Sequence, residues 1–496
     1  MGQPSYEELK AENAALRAEL AEVRKQNDSL RQLVEKLQAR LNQNSQNSSC
    51  PPSSDPPSAP PRTTKPPTGR SPGGQPGHPG HGRDLLPPEE VRQVVVVKPK
   101  ICRGCGRKLQ GEDPHPLRHQ VAELPRLAVE TTEYRRHRLI CGGCGETTLG
   151  ELPQGVAEGA FGPRVQAVLA YLSAQGHLSK RQIEEMMQDI FGLPIALGSV
   201  VKMQQKVSQA VAPAVEEAKS FAQKEPIKHA DETGWKEGLK GPEQKGRKKA
   251  WVWVMVTKWV TVFMIHASRG AQAARELLGE FCGYLTSDRW NGYNGWSLRK
   301  WQVCWAHLIR DFKGMSELDG KAGRIGTSLV REAGHVFALW HRIRDGTLSR
   351  STFQVYVRPI RRRIHRLLRK GSRCGPSPRR SGLRPREGGS ASMEGTCRKM
   401  LKVFPAFWTF VRIEGVEPTN NAAERAIRPV VLYRKGCFGT QSSQGSRFVE
   451  RMFTVVMTLR RQKRNVLEYL TQACVRSMAG LKPMSLLPGC AHKVAA

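Results

Sequence analysis

Two adjacent acids, Asp231 and Glu232, stand at the predicted end of a β-strand in the stretch IKHADETGW. Side chains on a strand alternate between its faces, so only one of the two can point into a given site. Asp288 in GYLTSD and Glu424 in EPTNNAAERAIRPVV are candidate partners. Two carboxylates hold a hard cation weakly, and a third would complete a site for two Mg²⁺ (or Mn²⁺) ions. Such a site performs in-line displacement at phosphorus.

Asp231 and Asp288 each have a simpler explanation. Asp231 could form a turn before Thr233 and Gly234, and Asp288 could cap the turn at RWNGY. Either role would need no metal. What favours a site is the order of the acids along the chain, one on a strand, one after a later strand and one on a helix.

Glu424 also has a competing role. It lies three residues after Asn421, the predicted cap of a helix that Pro429 ends, and this spacing is typical of a capping box. Asp311 in CWAHLIRDF is the substitute third ligand if Glu424 only caps. His307, on the same predicted helix, could approach the site or could be a packed core residue.

The elements that would position the acids follow one another as three strands, a helix, a strand and a further strand–helix segment. The successive stretches are IKHADETGW, AWVWVMV, WVTVFMIHA, AQAARELLGEF, GYLTSD and WQVCWAHLIRDF. This order is typical of an RNase H-like α/β domain. In that fold the first and fourth strands lie side by side, so Asp231 and Asp288 would meet.

The charge of the chain indicates the class of partner. Its 496 residues predict several domains, and its formal net charge of +35 favours polyanions, with nucleic acid ahead of an anionic membrane surface. The apolar run AWVWVMVTKWVTVFMI is interrupted by Lys258 and is shorter than the ~20 residues that a membrane span requires. The N-terminus does not resemble a signal peptide, so we expect a bacterial cytoplasmic, nucleoid-associated protein with reduced cysteines.

Residues 9 to 41 carry a heptad repeat with both core positions assigned. The d positions are Leu9, Leu16, Val23, Leu30 and Leu37, and the a positions are Asn13, Leu20, Asn27, Val34 and Leu41. Acids at g and arginines at e would attract a parallel partner, and asparagines at a favour an in-register dimer. We therefore predict a homodimer or higher oligomer through this zipper, with a single solvated helix as the alternative.

Two Cys-x-x-Cys pairs, Cys102 with Cys105 and Cys141 with Cys144, follow a Pro-, Ser- and Gly-rich tether. Each pair is followed by glycine, which permits the tight turn, and four thiolates can close a tetrahedral Zn²⁺ site. Redox or incidental cysteines are the alternative. The long interval between the pairs predicts that it carries strands of its own.

Residues 164 to 206 are predicted to form short helices, the third of them capped by Ser199. The layout fits a helix-turn-helix with its third helix in the major groove of DNA, or a plain helical bundle. Further on, residues 351 to 390 hold twelve Lys or Arg and one acid, Glu387. This density predicts contact with phosphates, and a solvated basic loop is the alternative.

Four motifs, HADETGW, SDRWNGYN, CWAHLIRDF and PTNNAAERAIRPVVLYRKG, resemble those of IS66-type insertion-sequence transposases. The order of zipper, tether, finger and catalytic domain resembles that family over essentially the whole chain. The resemblance implies a DDE catalytic triad, carried here by Asp231, Asp288 and Glu424. It also implies a helical insertion and two small accessory proteins of the same element.

The function expected is a DNA transposase that binds element ends and target DNA, cleaves with Mg²⁺ and transfers strands. A zinc-finger DNA-binding repressor without catalysis is the rival, and a nuclease that cuts without joining is a third possibility. The expected domains are a coiled coil (1–42), a linker (43–98), a zinc finger (99–150), a helix-turn-helix-like region (160–220), a catalytic domain (221–440) with a basic insertion (about 314–412), and a C-terminal helical region (441–496).

Overall fold

The computed structural model describes residues 6–41, 44, 83–125, 127–238, 247–280, 283–375 and 392–489. The chain divides into two compact units, one made of residues 1–59 and 131–496 and the other of residues 60–130. The division falls inside the predicted zinc finger. Most of the predicted linker, and residues 376–390 of the predicted basic stretch, lie outside the described residues. Within the described residues, no helix has the length and apolar character to cross a bilayer.

The N-terminal helix α1 (Tyr6–Leu41) is 36 residues long and covers the predicted heptads. Apolar side chains at its core positions are between 47% and 61% exposed in the single chain, namely Leu16, Leu20, Val23, Leu30, Val34 and Leu37. We call these six residues the heptad stripe. A helix that exposes such a stripe gains most of its stability by packing the stripe against a partner. The dimer itself stays a prediction.

Deleting residues 1 to 42 tests the zipper. We expect the shortened chain to fold and bind DNA, but to lose the self-association that the heptad stripe provides. Sedimentation of both chains checks this result. In the full chain, Leu16→Ala combined with Leu30→Ala removes two side chains of the heptad stripe and should weaken the same self-association. An unchanged oligomer after the deletion would rule the zipper out.

The segment that leads to the second cysteine pair is mostly irregular. After a 3₁₀ turn at Pro88–Glu90, an isolated bridge joins Ile101 to Lys108. The antiparallel strands β1 (Arg138–Ile140) and β2 (Thr147–Leu149) then flank the second pair. Of the two strands only β1 lies in the interval between the pairs, and its partner β2 lies beyond it, so the expectation that the interval carries strands of its own is wrong for its described residues. Its prolines, which cannot donate to a sheet ladder, explain why.

Three helices form a small second core, α2 (Pro163–Ala174), α3 (Lys180–Phe191) and α4 (Leu197–Lys224). Ser179 begins α3 with a complete capping box. The predicted cap of the third helix is wrong, because α4 begins after Ala196 and not at Ser199. At 28 residues α4 is also longer than predicted. Its continuous buried face extends beyond the second core into the main one, which lengthens the helix.

A five-stranded sheet is the centre of the larger unit. Its strands are β3 (Ile227–Gly238), β4 (Arg247–Val256), β5 (Thr261–His266), β6 (Tyr284–Ser287) and β7 (Trp301–Val303). They lie in the order β5-β4-β3-β6-β7. The first three pair antiparallel, and β3–β6 and β6–β7 pair parallel. The predicted adjacency of the first and fourth strands is confirmed.

Nine helices complete the described part of the larger unit after the sheet begins. They are α5 (Ala271–Leu278), α6 (Trp305–Ser316), α7 (Gly320–Arg344), α8 (Arg350–Gly371), α9 (Met393–Lys402), α10 (Thr409–Arg412), α11 (Asn421–Cys437), α12 (Ser443–Arg461) and α13 (Val466–Met478). Helices α7 to α10 make up most of the described part of residues 314–412, so this segment is helical, as the resemblance implied.

Helix α12 covers the free edge of the sheet at β5. Three of its side chains, spaced four residues apart, accept backbone N–H bonds from β5: Glu450 from Ile265 at 2.6 Å, Thr454 from Phe263 at 3.0 Å and Thr458 from Thr261 at 3.1 Å. Because an open edge can pair with another chain, this covering blocks aggregation and also satisfies buried polar groups.

Candidate active site

Strand β3 carries both acids of HADETGW in its interior. The strand runs on to Gly238, and Thr233 and Gly234 pair with Val252 and Trp251 of β4. The acids therefore do not stand where a strand stops, and the turn-forming explanation of Asp231 is wrong. The ladder partner β4 supplies the hydrogen bonds that keep this polar stretch extended.

Glu232 is fully occupied by structural contacts. Its Oε1 accepts from Arg269 Nε at 3.0 Å and forms an ion pair with Nη2 at 2.9 Å, and its Oε2 accepts from the Tyr293 hydroxyl at 2.7 Å. The guanidinium of Arg269 also stacks on the Trp290 ring, 3.9 Å from its centroid. Glu232 thus anchors the loop after β6 to the sheet.

Asp288 follows β6 directly, beside the strand that carries Asp231. Its Oδ1 accepts from the backbone N–H of Trp290 at 3.0 Å, ahead of the 3₁₀ turn at Asn291–Tyr293. The turn role that the sequence suggested is therefore present. It uses one of the two carboxylate oxygens.

Glu424 is not a capping residue. The cap of α11 is Asn420, not Asn421, so Glu424 is the fourth helical residue and the capping-box spacing is lost. Pro429 lies inside the helix, which continues to Cys437, so the predicted end at Pro429 is also wrong. A proline in the third turn removes one backbone hydrogen bond and crowds the carbonyl four residues earlier, and packing of the helix against β3 and β4 compensates for this cost.

Asn420 fixes the start of α11 against the sheet. Its side-chain Nδ2 donates to the backbone carbonyl of Ala230 at 2.8 Å, and its backbone N–H donates to Cys304 Sγ at 3.2 Å. Ala230 immediately precedes Asp231. This buried residue therefore determines where Glu424 lies relative to β3.

The pKa of Asp231 is affected by the other acids around it. Burial raises the pKa of Asp231 well above its ordinary value, and the charges of Glu232, Asp288 and Glu424 raise it further. The charge of Glu232 is offset by Arg269, whereas Asp231 has no cation among these contacts. Asp231 is thus close enough to Asp288 and Glu424 for their charges to act on it, but among the described residues the three ligand atoms found within 4.8 Å of one another are those of Cys304, His307 and Glu424, so the triad stays a prediction.

Asp311, the substitute third ligand, is paired with a cation. It accepts from Arg289 Nη2 at 2.7 Å, and its side chain is 13% exposed. His307, by contrast, does approach the site. Its Nδ1 lies 3.8 Å from Glu424 Oε1.

The donor set fits Mg²⁺. Carboxylate oxygens are the ligands that this hard cation prefers. His229, on the same face of β3 as Asp231, is kept neutral because burial lowers its pKa to about 4. A cation bound by Asp231, Asp288 and Glu424 would supply the missing compensating charge.

The two cysteine pairs have the same local backbone structure. The backbone carbonyls of Cys102 and Cys141 each accept a hydrogen bond at 2.9 Å from the backbone N–H of the glycine four residues later, Gly106 and Gly145, whose φ angles are 73° and 74°. Backbone N–H groups within each turn lower the pKa of Cys102 and of Cys141. Each turn therefore favours a thiolate, as a zinc knuckle requires.

Zinc analysis tests the four-cysteine site of Cys102, Cys105, Cys141 and Cys144. We expect protein purified without chelators to contain Zn²⁺ and Cys105→Ser to lose the finger's ion, unfolding the finger alone because the metal supplies its folding free energy. Cys474→Ser, on α13, is the matched control. Zinc-free wild-type protein would refute the site.

The described part of the basic insertion is an amphipathic helix. One face of α8 buries Phe353, Val357, Ile360, Ile364 and Leu368. The other face exposes six cations, Arg358, Arg361, Arg362, Arg366, Arg369 and Lys370. We call these six the α8 cations. A continuous row of cations on a packed helix suits a phosphate backbone.

Sequence reasoning missed several residues around the acids, above all Asn420, Cys304, Arg269 and Tyr293. The Cys-x-x-His spacing of Cys304 and His307 could have indicated a ligand pair. Nothing in the local sequence marks Arg269 or Tyr293, because their roles depend on contact with Glu232 across the fold.

Comparison with known proteins identifies the larger unit. A family model described as Transposase IS66 family matches residues 158–447, more than half of the chain. A second, described as Family of unknown function (DUF6444), matches residues 1–84. The first match is narrower than the whole-chain resemblance expected from the motifs. No curated protein matches the chain.

Proposed function

Because the chain belongs to the IS66 family of transposases, we propose that it is a DDE-type DNA transposase with Asp231, Asp288 and Glu424 as its triad. The observation that supports this proposal is that three carboxylates from neighbouring elements influence one another: β6, which precedes Asp288, pairs with β3, Asn420 ties the start of α11 to Ala230, and the charges of Asp288 and Glu424 both raise the pKa of the buried Asp231. The strand order, three antiparallel strands followed by two parallel ones, supports an RNase H-like fold.

In this proposal some residues of the chain would bind the metal ions and others position them. Asp231, Asp288 and Glu424 would hold two Mg²⁺ (or Mn²⁺) ions, and Glu232, Arg269 and Tyr293 keep the strand and the following loop in place. When bound, the ions supply activation of the attacking oxygen and stabilisation of the leaving oxygen. Arginine side chains would hold the phosphate backbone for in-line attack, first by water and then by the freed 3′-hydroxyl.

Positive charge near the acids supports DNA as the substrate. Arg425 and Arg428 are exposed on α11, within a turn or so of Glu424. The α8 cations supply a second basic surface. Together with the predicted finger, the helix-turn-helix-like region and the zipper, these surfaces would bind two element ends and target DNA, with accessory proteins of the element as further partners.

An assay with labelled element ends that scores nicking and joining separately tests the proposal. We expect Mg²⁺-dependent nicking at the element's 3′ ends followed by joining to target DNA. Nicking without joining would point to a nuclease. Binding without either reaction would point to a non-catalytic repressor, which the basic surfaces alone would also permit.

A further inference from the structure

A second group of metal-binding side chains lies beside the proposed catalytic acids. Cys304 Sγ is 3.9 Å from Glu424 Oε1, and His307 Nδ1 is 3.8 Å from the same oxygen. All three ligand atoms lie within 4.8 Å of one another. Zn²⁺ binds sulfur at about 2.3 Å and nitrogen or oxygen at about 2.0–2.2 Å, so its ligand atoms stand roughly 3.5 Å apart. Small side-chain movements would close this group around one ion.

The fold prepares these side chains for such a role. Cys304 is the cap residue of α6 and His307 is its third helical residue, so the two project from the same turn of one helix. The Cys304 side chain is fully buried, and the N–H of Asn420 points at its sulfur from 3.2 Å. An N–H directed at sulfur is a common outer contact of a ligating thiolate.

His307 supplies an independent indication. Its Nδ1 is buried and has no hydrogen-bond partner within the described residues. A buried polar atom without a partner is costly, and a metal ion removes the cost. The neighbouring acids cannot do so, because Glu424 is too distant for a hydrogen bond.

We propose that Cys304, His307 and Glu424 bind one soft divalent cation, Zn²⁺ being the best fit, and that this ion competes with Mg²⁺ for Glu424. Thiolate and imidazole select Zn²⁺, whereas the oxygen-only set of Asp231 and Asp288 selects Mg²⁺. Glu424 belongs to both sets and cannot serve both fully. Binding at this site is independent of the proposed function, whereas the competition rests on it.

Co²⁺ substitution of the full-length protein tests binding, because a cobalt–thiolate bond gives a near-ultraviolet charge-transfer band. We expect Cys304→Ser and His307→Gln each to lose one bound ion per chain relative to wild type, and Cys304→Ser to lose part of the band. Cys474→Ser, another buried cysteine, is the matched control and should lose neither. The predicted finger contributes the same bound Co²⁺ and the same thiolate band to wild type and to the three variants, so it does not affect the comparison.

These two variants separate ligation from folding. Serine at position 304 can still accept a hydrogen bond from the N–H of Asn420, and the His307 side chain is 35% exposed. We therefore expect both variants to unfold at the same temperature as wild type. Loss of the affinity for Zn²⁺ should reach at least about 100-fold, since removal of even an outer partner costs about 10–100-fold. Unchanged metal content and spectra in both variants would overturn the site.

Cleavage assays then test the competition. We expect added Zn²⁺ to inhibit Mg²⁺-dependent cleavage by wild type, and Cys304→Ser to require at least about tenfold more Zn²⁺ for the same inhibition. Equal inhibition of both proteins would overturn the competition. A wild-type chain that binds the extra Co²⁺ ion but never cleaves would instead contradict the proposed transposase activity and leave the metal site standing.

Discussion

Asp231→Asn should reduce strand cleavage at least about 1,000-fold, the equivalent of about 4 kcal/mol, because it removes a charged ligand from the proposed metal pair. DNA binding should survive, since loss of one negative charge from a chain of net charge +35 cannot weaken its attraction to phosphate. Cleavage of labelled ends and a binding titration at fixed salt measure the two effects separately.

The matched control is Glu232→Gln at the next position of β3. Glutamine can still accept from Tyr293 but loses the ion pair with Arg269, so we expect a loss of about 1–3 kcal/mol in stability with measurable cleavage retained. If Glu232→Gln abolished cleavage in folded protein and Asp231→Asn did not, the assignment of the two acids would be reversed.

Asp231→Asn should also stabilise the metal-free protein at neutral pH. The folded-state pKa of Asp231 is raised, so its favourable contribution is present at low pH and is lost as the pH rises through that pKa. Asparagine removes this dependence. Thermal unfolding from pH 4 to pH 7.5 should therefore show wild type losing stability relative to the variant, with Mg²⁺ recovering the difference only in wild type.

Glu424→Gln should abolish cleavage to a similar extent, about 1,000-fold, while leaving the stability of α11 nearly unchanged. Because Asn420 is the cap and Glu424 is the fourth helical residue, glutamine removes no capping bond. The decisive measurement is Mg²⁺-dependent cleavage by variant protein whose unfolding temperature matches wild type.

Two further variants make this test specific to Glu424. Glu417→Gln, at an exposed position before α11, should cleave like wild type. Asp311→Asn should mainly lose its bond with Arg289 and retain cleavage. Near-normal activity of Glu424→Gln would remove this residue from the triad.

Local sequence patterns were enough to predict most of the elements. The apolar run AWVWVMVTKWVTVFMI forms β4 and β5, as predicted, because its β-branched and aromatic residues suit buried strands. The heptads form one helix, α1. The order of strands and helices was also sufficient to predict that β3 lies beside β6, and the motifs identified the family.

Short-range rules failed where a distant segment decides local structure. HADETGW reads as a strand end, yet pairing with β4 keeps it extended to Gly238. NNAAE reads as a cap followed by a capping box, yet Asn420 is held by Ala230, 190 residues away, and this shifts the start of the helix by one position.

The separate roles of the acids were decided by tertiary contacts alone. Carboxylates cannot be told apart in sequence, but in the fold Arg269 and Tyr293 donate hydrogen bonds to Glu232, and Arg289 forms an ion pair with Asp311. Among the described residues Asp231 forms no such ion pair, and Glu424 lies beside Cys304 and His307. Residue type and order set which groups could bind a metal. Only the folded chain brings charges from distant segments to within a few ångströms, and at that distance neutralisation by a partner separates structural acids from candidate ligands.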